Sequence, residues 1–249
     1  MRRTIGVCLM LLLFVTVLTS VNGSEAFENP TYTEEYAAEQ EQLLNSIETL
    51  FPRNLLVKTF DGTNKPVISK PADGYYMYSR EISGKRERCL AAITTAPQSK
   101  GWGEHFFNTT GSFTNFYFSV EGQVIERDDS KKGYLWIQYT DGEIAGEEGR
   151  SAVTIYFPIK IDEYETVNGE RIYTDLYDLS AYADDYDVHR FEMLRMDGYT
   201  RVYIDRKFVT VFEDGFSGRF YHLFGAGLEE GGRYATVQFD NLNIRMQSY

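Results

Sequence analysis

Cysteine is nearly absent from this 249-residue chain: there are two, and Cys8 lies inside the N-terminal apolar run. Once that run is removed, Cys89 stands alone, so no intramolecular disulfide can form and the fold must rest on its core. Cys89 sits beside Leu90, Ala91, Ala92 and Ile93, a setting that suits a buried, inert thiol rather than a nucleophile. Histidine is scarce too. His105, His189 and His222 are scattered singly, and ordinary surface or hydrogen-bonded roles are expected of them. No Ser-His-Asp order, His-x-x-x-His helix or glycine-rich phosphate loop is present. Positive charge is short, with 25 Lys and Arg against 37 Asp and Glu, a formal charge of −12. That balance repels nucleic acid and anionic lipid and leaves no basic stripe for phosphate contacts, which excludes nucleic-acid binding.

Long apolar runs are also missing, with one exception. Arg2 and Arg3 precede an apolar stretch from Val7 to Leu18, broken by Thr16 alone and shorter than the roughly 20 residues a spanning helix requires. Val21-Asn22-Gly23 supplies small or tolerated residues before Ser24, so a signal peptide over residues 1–23 is expected, with cleavage after Ala26 as the second choice. The expected product is a secreted, soluble protein with no stable membrane anchor, and its charge falls to −14 once Arg2 and Arg3 leave.

What is present is strand chemistry. After a polar leader, Leu43, Leu44, Ile47 and Leu50 fall at helical spacing behind a glutamate-rich first turn, which predicts one short helix over Glu34 to Leu50. Thr31 or Thr33 caps it, and Pro52 ends it. From Leu55 onward the period is two. Leu55–Phe60, Tyr75–Ser79, Cys89–Thr94, Phe113–Val124, Tyr134–Thr140, Ala152–Ile161 and Ile172–Leu176 read as strands, separated by Asp-Gly, Glu-Gly and Asn-Gly turns. Three more close the chain: Val188–Met196, Tyr199–Phe212 with a bend at Asp205-Arg206-Lys207, and Arg233–Met246. In the last, Ala235, Val237 and Phe239 share one parity, whereas Leu242, Ile244 and Met246 share the other. One extra residue at Asp240-Asn241, a β-bulge, accounts for that flip. Ten or more strands without intervening helices predict an all-β, two-sheet antiparallel sandwich of jelly-roll type. The expected organisation is a leader and short helix over 24–52 and the sandwich over 53–249.

The C-terminal order Arg201, Val202, Tyr203, Asp205, Val209 and Phe212, a Gly-rich turn at Gly225–Gly227, and Phe239-Asp240-Asn241-Leu242-Asn243-Ile244 resembles the concanavalin A-like lectin/glucanase superfamily. The usual glycine after Asp205 is Arg206 here. The resemblance implies the sandwich fold and a role among lectins, glycosidases or laminin-G-like interaction domains; it says little about which. It also implies a structural calcium at Asp240, the position where related sandwiches hold one with neighbouring backbone carbonyls. The glucanase branch carries a Glu-x-Asp-x-Glu strand, and the nearest match is Glu143-Ile144-Ala145-Gly146-Glu147. Its central Asp is Ala145, and two glycines make it a solvated acidic turn, so no catalytic residue is assigned.

Aromatics are abundant: 19 Tyr, 17 Phe and 2 Trp. Sugars stack on aromatic faces with polar groups around the rim. If Phe116, Phe118 and Val120 face the core, then Tyr117 and Glu121 face out; if Leu135, Ile137 and Tyr139 face the core, then Tyr134, Trp136 and Gln138 face out. Joined by Arg201, Tyr203 and Asp205, these residues are expected to form one polar, aromatic, concave face. The function expected is non-catalytic binding of a glycan or extracellular polysaccharide. The alternatives are a glycosidase of the same fold and a domain that binds an extracellular protein. Asn108-Thr109-Thr110 is a glycosylation sequon, meaningful in a eukaryotic secretory pathway. On this expectation Trp136→Ala abolishes sugar affinity and leaves the fold intact.

Overall fold

A computed structural model describes residues 28–58, 75–82, 86–94, 107–108, 115–141, 151–214, 216, 221–229 and 231–247. Residues 1–23, the Glu143–Glu147 stretch and most of the sequon lie outside the described residues, and for Cys89 only the backbone path is described.

The predicted helix forms in two pieces, α1 (Glu34–Leu43) and α2 (Ile47–Leu50), joined by a 3₁₀ turn over Leu44–Ser46. Thr33 is the cap: its Oγ1 accepts the Tyr36 N–H at 3.2 Å, satisfying one of the open donors of the first turn. The strands are β1 (Arg53–Lys58), β2 (Tyr75–Ile82), β3 (Arg86–Thr94), β4 (Phe107–Asn108), β5 (Phe116–Arg127), β6 (Gly133–Thr140) and β7 (Ser151–Phe157). They continue as β8 (Lys160–Val167), β9 (Glu170–Asp178), β10 (His189–Met196), β11 (Tyr199–Ile204), β12 (Lys207–Glu213), β13 (Tyr221–Leu228) and β14 (Tyr234–Met246).

These strands make two antiparallel sheets. Sheet A runs β12-β11-β10-β5-β14-β3-β2, with β1 also on β14; sheet B runs β4-β13-β6-β7-β8-β9. The bulge predicted at Asp240-Asn241 is there: Asn241 has φ 50°, and the register with β5 jumps between Asp240 and Asn243. On its other edge β14 pairs β3 up to Phe239 and β1 from Leu242 onward. One extra residue therefore lets the last strand serve two neighbours while Phe239, Leu242 and Ile244 all stay in the core.

Two expected elements differ. Ala152–Ile161 is not one strand but β7 from its second residue, a turn at Pro158-Ile159 and the start of β8. Proline removes a ladder donor, so the run breaks there. Gly225–Gly227 is not a turn but the middle of β13, paired to Trp136, Leu135 and Tyr134 of β6. Glycine is required because the Tyr134 ring lies over Gly227, where a Cβ would collide with it. At the Asp205-Arg206 bend both residues take positive φ, 52° and 65°, the pattern of a type I′ hairpin turn without its usual glycine.

The inner faces of the sheets form one core, with Phe118, Phe191, Val202 and Phe239 of sheet A against Leu135, Ile137, Ile155 and Phe224 of sheet B. A buried ion pair joins the sheets at one end. Arg195 Nη2 donates to Asp214 Oδ1 at 2.6 Å and to the Phe216 carbonyl at 2.9 Å. Asp214 Oδ2 accepts Thr200 Oγ1–H at 2.7 Å and the Tyr139 O–H, from the opposite sheet, at 3.0 Å. The remaining lone pairs are thus filled, as burial of a charged pair demands.

His222 takes neither the surface nor the hydrogen-bonded role expected of it. It projects into the core, its ring stacked on Phe118 at 5.2 Å and edge-on to Phe116 at 4.6 Å, and neither ring nitrogen has a hydrogen-bond partner. Burial pushes its pKa down to about 3 from 6.5. Because the folded value lies below the unfolded one, the neutral ring leaves stability intact above about pH 6.5. As pH falls below that, stability is lost at up to about 1.4 kcal/mol per pH unit. His222→Phe is therefore expected to reduce the loss between pH 7 and 4.5 by about 2–3 kcal/mol, read from urea midpoints at the two pH values. Equal losses in the variant and the parent would contradict this assignment.

Candidate functional site

The outer face of sheet A is covered at β5, β10 and β11. Leu44, Ile47 and Phe51 of the N-terminal helical segment pack on Tyr117, Leu194 and Tyr203, forming a second, smaller apolar cluster. Polar contacts pin the same segment down: Arg201 Nε donates to Gln40 Oε1 at 2.7 Å and Tyr203 O–H to the Gln40 carbonyl at 3.0 Å. Tyr117 O–H donates to the buried Glu192 carboxylate at 2.5 Å. Glu121 accepts from Asn241 Nδ2 at 2.7 Å across the β14 bulge. Asp205 accepts the Arg190 backbone N–H at 2.8 Å and meets His189 Nδ1 at 2.6 Å. Tyr117, Glu121, Arg201, Tyr203 and Asp205 are all engaged in holding the fold together.

Tyr134, Trp136 and Gln138 lie elsewhere, on the outer face of sheet B. The single concave face expected from strand parity is thus two faces on opposite sides of the sandwich. Parity tells which residues of a strand share a side, but it does not tell to which sheet that strand belongs.

Sheet B's outer face has its own organisation. Its central part is a floor of Tyr134, Trp136 and Tyr156, packed with Leu223; Tyr134 meets Tyr156 edge-on at 5.2 Å. Gln138 Nε2 donates to Thr154 Oγ1 at 2.7 Å beside them. Toward β8 and β9 the face becomes charged and open. Lys160 Nζ lies 3.3 Å from Asp162 Oδ2 and 2.5 Å from Asp175 Oδ1. Asp162 is 2% exposed and its Oδ1 has no hydrogen-bond partner, whereas Asp175 is about half exposed, 48% at the side chain. Burial pushes the Asp162 carboxyl up to about 6, Lys160 opposing and Asp175 adding to the shift. Tyr173, 47% exposed, stands against Tyr164 at 5.6 Å, and the Arg171 guanidinium lies 4.9 Å over the Tyr164 ring. The face therefore runs from a deep aromatic floor on β6 and β7 to a polar, exposed rim on β9.

Sequence reasoning missed Tyr156, Lys160, Asp162, Tyr164, Tyr173 and Asp175. The signal was Pro158: splitting the run there places Lys160, Asp162 and Tyr164 at alternate positions of one strand, pointing to one side.

Asp240, the expected calcium position, is engaged at the bulge of its own strand. Its Oδ1 accepts the Asn241 N–H at 2.8 Å, its cross-strand neighbour Glu121 is held by Asn241, and among the described residues no group of three or more His, Cys, Asp or Glu is placed to hold an ion. Calcium needs six to eight oxygens.

Trp136 is 2% exposed, so its removal cannot leave the fold untouched. Trp136→Ala is expected to cost about 3–5 kcal/mol in a denaturant melt; a cost below about 1 kcal/mol would place the ring outside the packed floor.

No known family profile and no curated protein matches the chain. Solved structures do. A glycoside hydrolase family 16 endo-glucanase from Bacteroides ovatus superposes with a TM-score of 0.57 at 10% identity, over 76% of this chain and 99% of that one. A second structure from the same organism, a family 16 protein of its mixed linkage glucan system, gives 0.55 at 12% identity over 76% and 99%. The laminarinase catalytic domain from Thermotoga maritima gives 0.52 at 10% identity over 79% and 99%. At such identities the likeness concerns the fold alone, a two-sheet jelly-roll sandwich.

Proposed function

We propose that this chain is a secreted, non-catalytic carbohydrate-binding protein that holds a glycan against the outer face of sheet B. The observation that carries the reading is the arrangement of that face: a half-exposed rim of Tyr173 and Asp175, joined by Lys160, beside a buried aromatic floor of Tyr134, Trp136 and Tyr156. The exposed Tyr173 ring can accept the apolar side of a sugar ring, and the polar rim supplies hydrogen bonds. On the opposite sheet the N-terminal helical segment covers Tyr117, Leu194 and Tyr203.

Two observations favour binding over cleavage. The outward positions of the central strand β6 are Tyr134, Trp136, Gln138 and Thr140, none of them a carboxylic acid. The carboxylates Asp162 and Asp175 are both taken up by Lys160. The structural relatives include enzymes named for glucans, a mixed linkage glucan and a 1,3-β-glucan among them, so glucan chains are the first ligands to try.

The test uses the mature chain from Ser24 on a glycan array, followed by calorimetry with soluble mixed-linkage and 1,3-β-glucan oligosaccharides. Binding without shortening of the oligosaccharide is expected. Tyr173→Ala, at an exposed position, is expected to weaken binding roughly two- to ten-fold with no change in melting temperature. Silence across the array, or release of new reducing ends, would overturn the reading.

A further inference from the structure

We propose that Asp162 is the acceptor on this face for a donor group of the bound sugar, a hydroxyl or an ammonium. The inference rests on the reading of sheet B as the glycan-binding face and names the residue through which that face recognises polar chemistry.

Its basis is the hydrogen-bond account around Asp162. Every partner near it has somewhere to go. Lys160 Nζ is shared between Asp162 Oδ2 and Asp175 Oδ1, and Thr154, opposite Asp162 on β7, accepts from Gln138. Oδ1 alone has no donor, on a side chain 98% removed from solvent. A buried carboxylate oxygen left without a donor is among the most costly polar defects a fold can carry. Such defects belong at functional positions, where a ligand supplies what the protein withholds. The groups facing Asp162 are Lys160 on its own strand, Asp175 from β9, Thr154 and Tyr156 from β7 and Tyr134 from β6. One cation against two carboxylates leaves this corner net negative, and the whole chain is acidic. A donor ligand suits it; a polyanionic uronate chain does not. Its solvent-exposed neighbours are on β9, where Asp175 and Tyr173 are about half exposed.

Burial pushes the Asp162 carboxyl up to about 6, above its ordinary 3.8. An ionised acceptor is stronger than a protonated one, so affinity is at full strength well above pH 6 and declines as pH falls through that value.

The experiment is calorimetry on the full mature chain at pH 5.0, 6.0 and 7.5, against three probes: a neutral mixed-linkage glucan oligosaccharide, a glucosamine oligosaccharide and a uronate oligosaccharide. The neutral glucan reports a hydroxyl donor and the glucosamine chain an ammonium donor; the uronate chain is expected to stay unbound. Asp162→Asn is expected to weaken binding about ten-fold at pH 7.5 and to flatten the pH profile. Its melting temperature is expected to hold or rise, since a neutral amide replaces a buried charge while Lys160 keeps Asp175. Wild-type binding with an unchanged affinity and profile in Asp162→Asn would overturn the inference and leave the glycan reading standing. If the parent binds none of the probes, both fall. Should Asp162→Asn fail to fold, the parent's own profile decides: affinity that declines below about pH 6 supports the acceptor role, and a flat profile overturns it.

Discussion

The packing of the N-terminal helical segment on sheet A is the constraint from which the functional geometry follows. A two-sheet sandwich has two outer faces, and either can in principle meet a ligand. Here Leu44, Ile47 and Phe51 cover Tyr117, Leu194 and Tyr203 on one of them, and Gln40 takes up Arg201 and Tyr203. Side chains that would otherwise form a polar, aromatic surface are consumed as the inner wall of a small second core. That part of sheet A is thereby closed to a ligand. The apolar content of α1 alone is too low to hold a helix in water, so the segment depends on the sheet as much as the sheet's outer face depends on it.

Beneath that division the sandwich is held by ordinary apolar packing and one buried polar bridge. Arg195, Asp214, Thr200 and Tyr139 close one end of the core and tie a sheet B side chain to three groups of the sheet A side. His222 sits in the same core without a hydrogen bond. The contrast is instructive: the charged pair has its main acceptors and donors filled, whereas the neutral ring is tolerated because it titrates out of its charged form.

Much of this was legible in the residues. Alternation in Phe116–Val124 and Leu135–Tyr139 correctly separated core from outer positions, and the parity flip at Asp240-Asn241 located the bulge. Those signals are local, and local periodicity reports them faithfully. What failed was long-range. Nothing in the spacing of Tyr117 and Trp136 says that their strands lie in different sheets. Gly225–Gly227 reads as a turn because glycine usually marks one, yet here it makes room for the Tyr134 ring from a neighbouring strand. Asp162 is hidden because Ala152–Ile161 reads as one strand unless Pro158 breaks it, and only the break reveals the alternation of Lys160, Asp162 and Tyr164.

The central claim is that a glycan lies on the outer face of sheet B, and Trp136 is a built-in reporter of that face. The chain has two tryptophans, Trp102 and Trp136, so a Trp102→Phe protein emits from Trp136 alone. We would titrate it with a soluble glucan oligosaccharide and follow its emission beside calorimetry on the same sample. A saturable change in Trp136 emission, with a midpoint matching the calorimetric affinity, is the predicted result. Binding by calorimetry with Trp136 emission unchanged would put the ligand elsewhere and contradict the account.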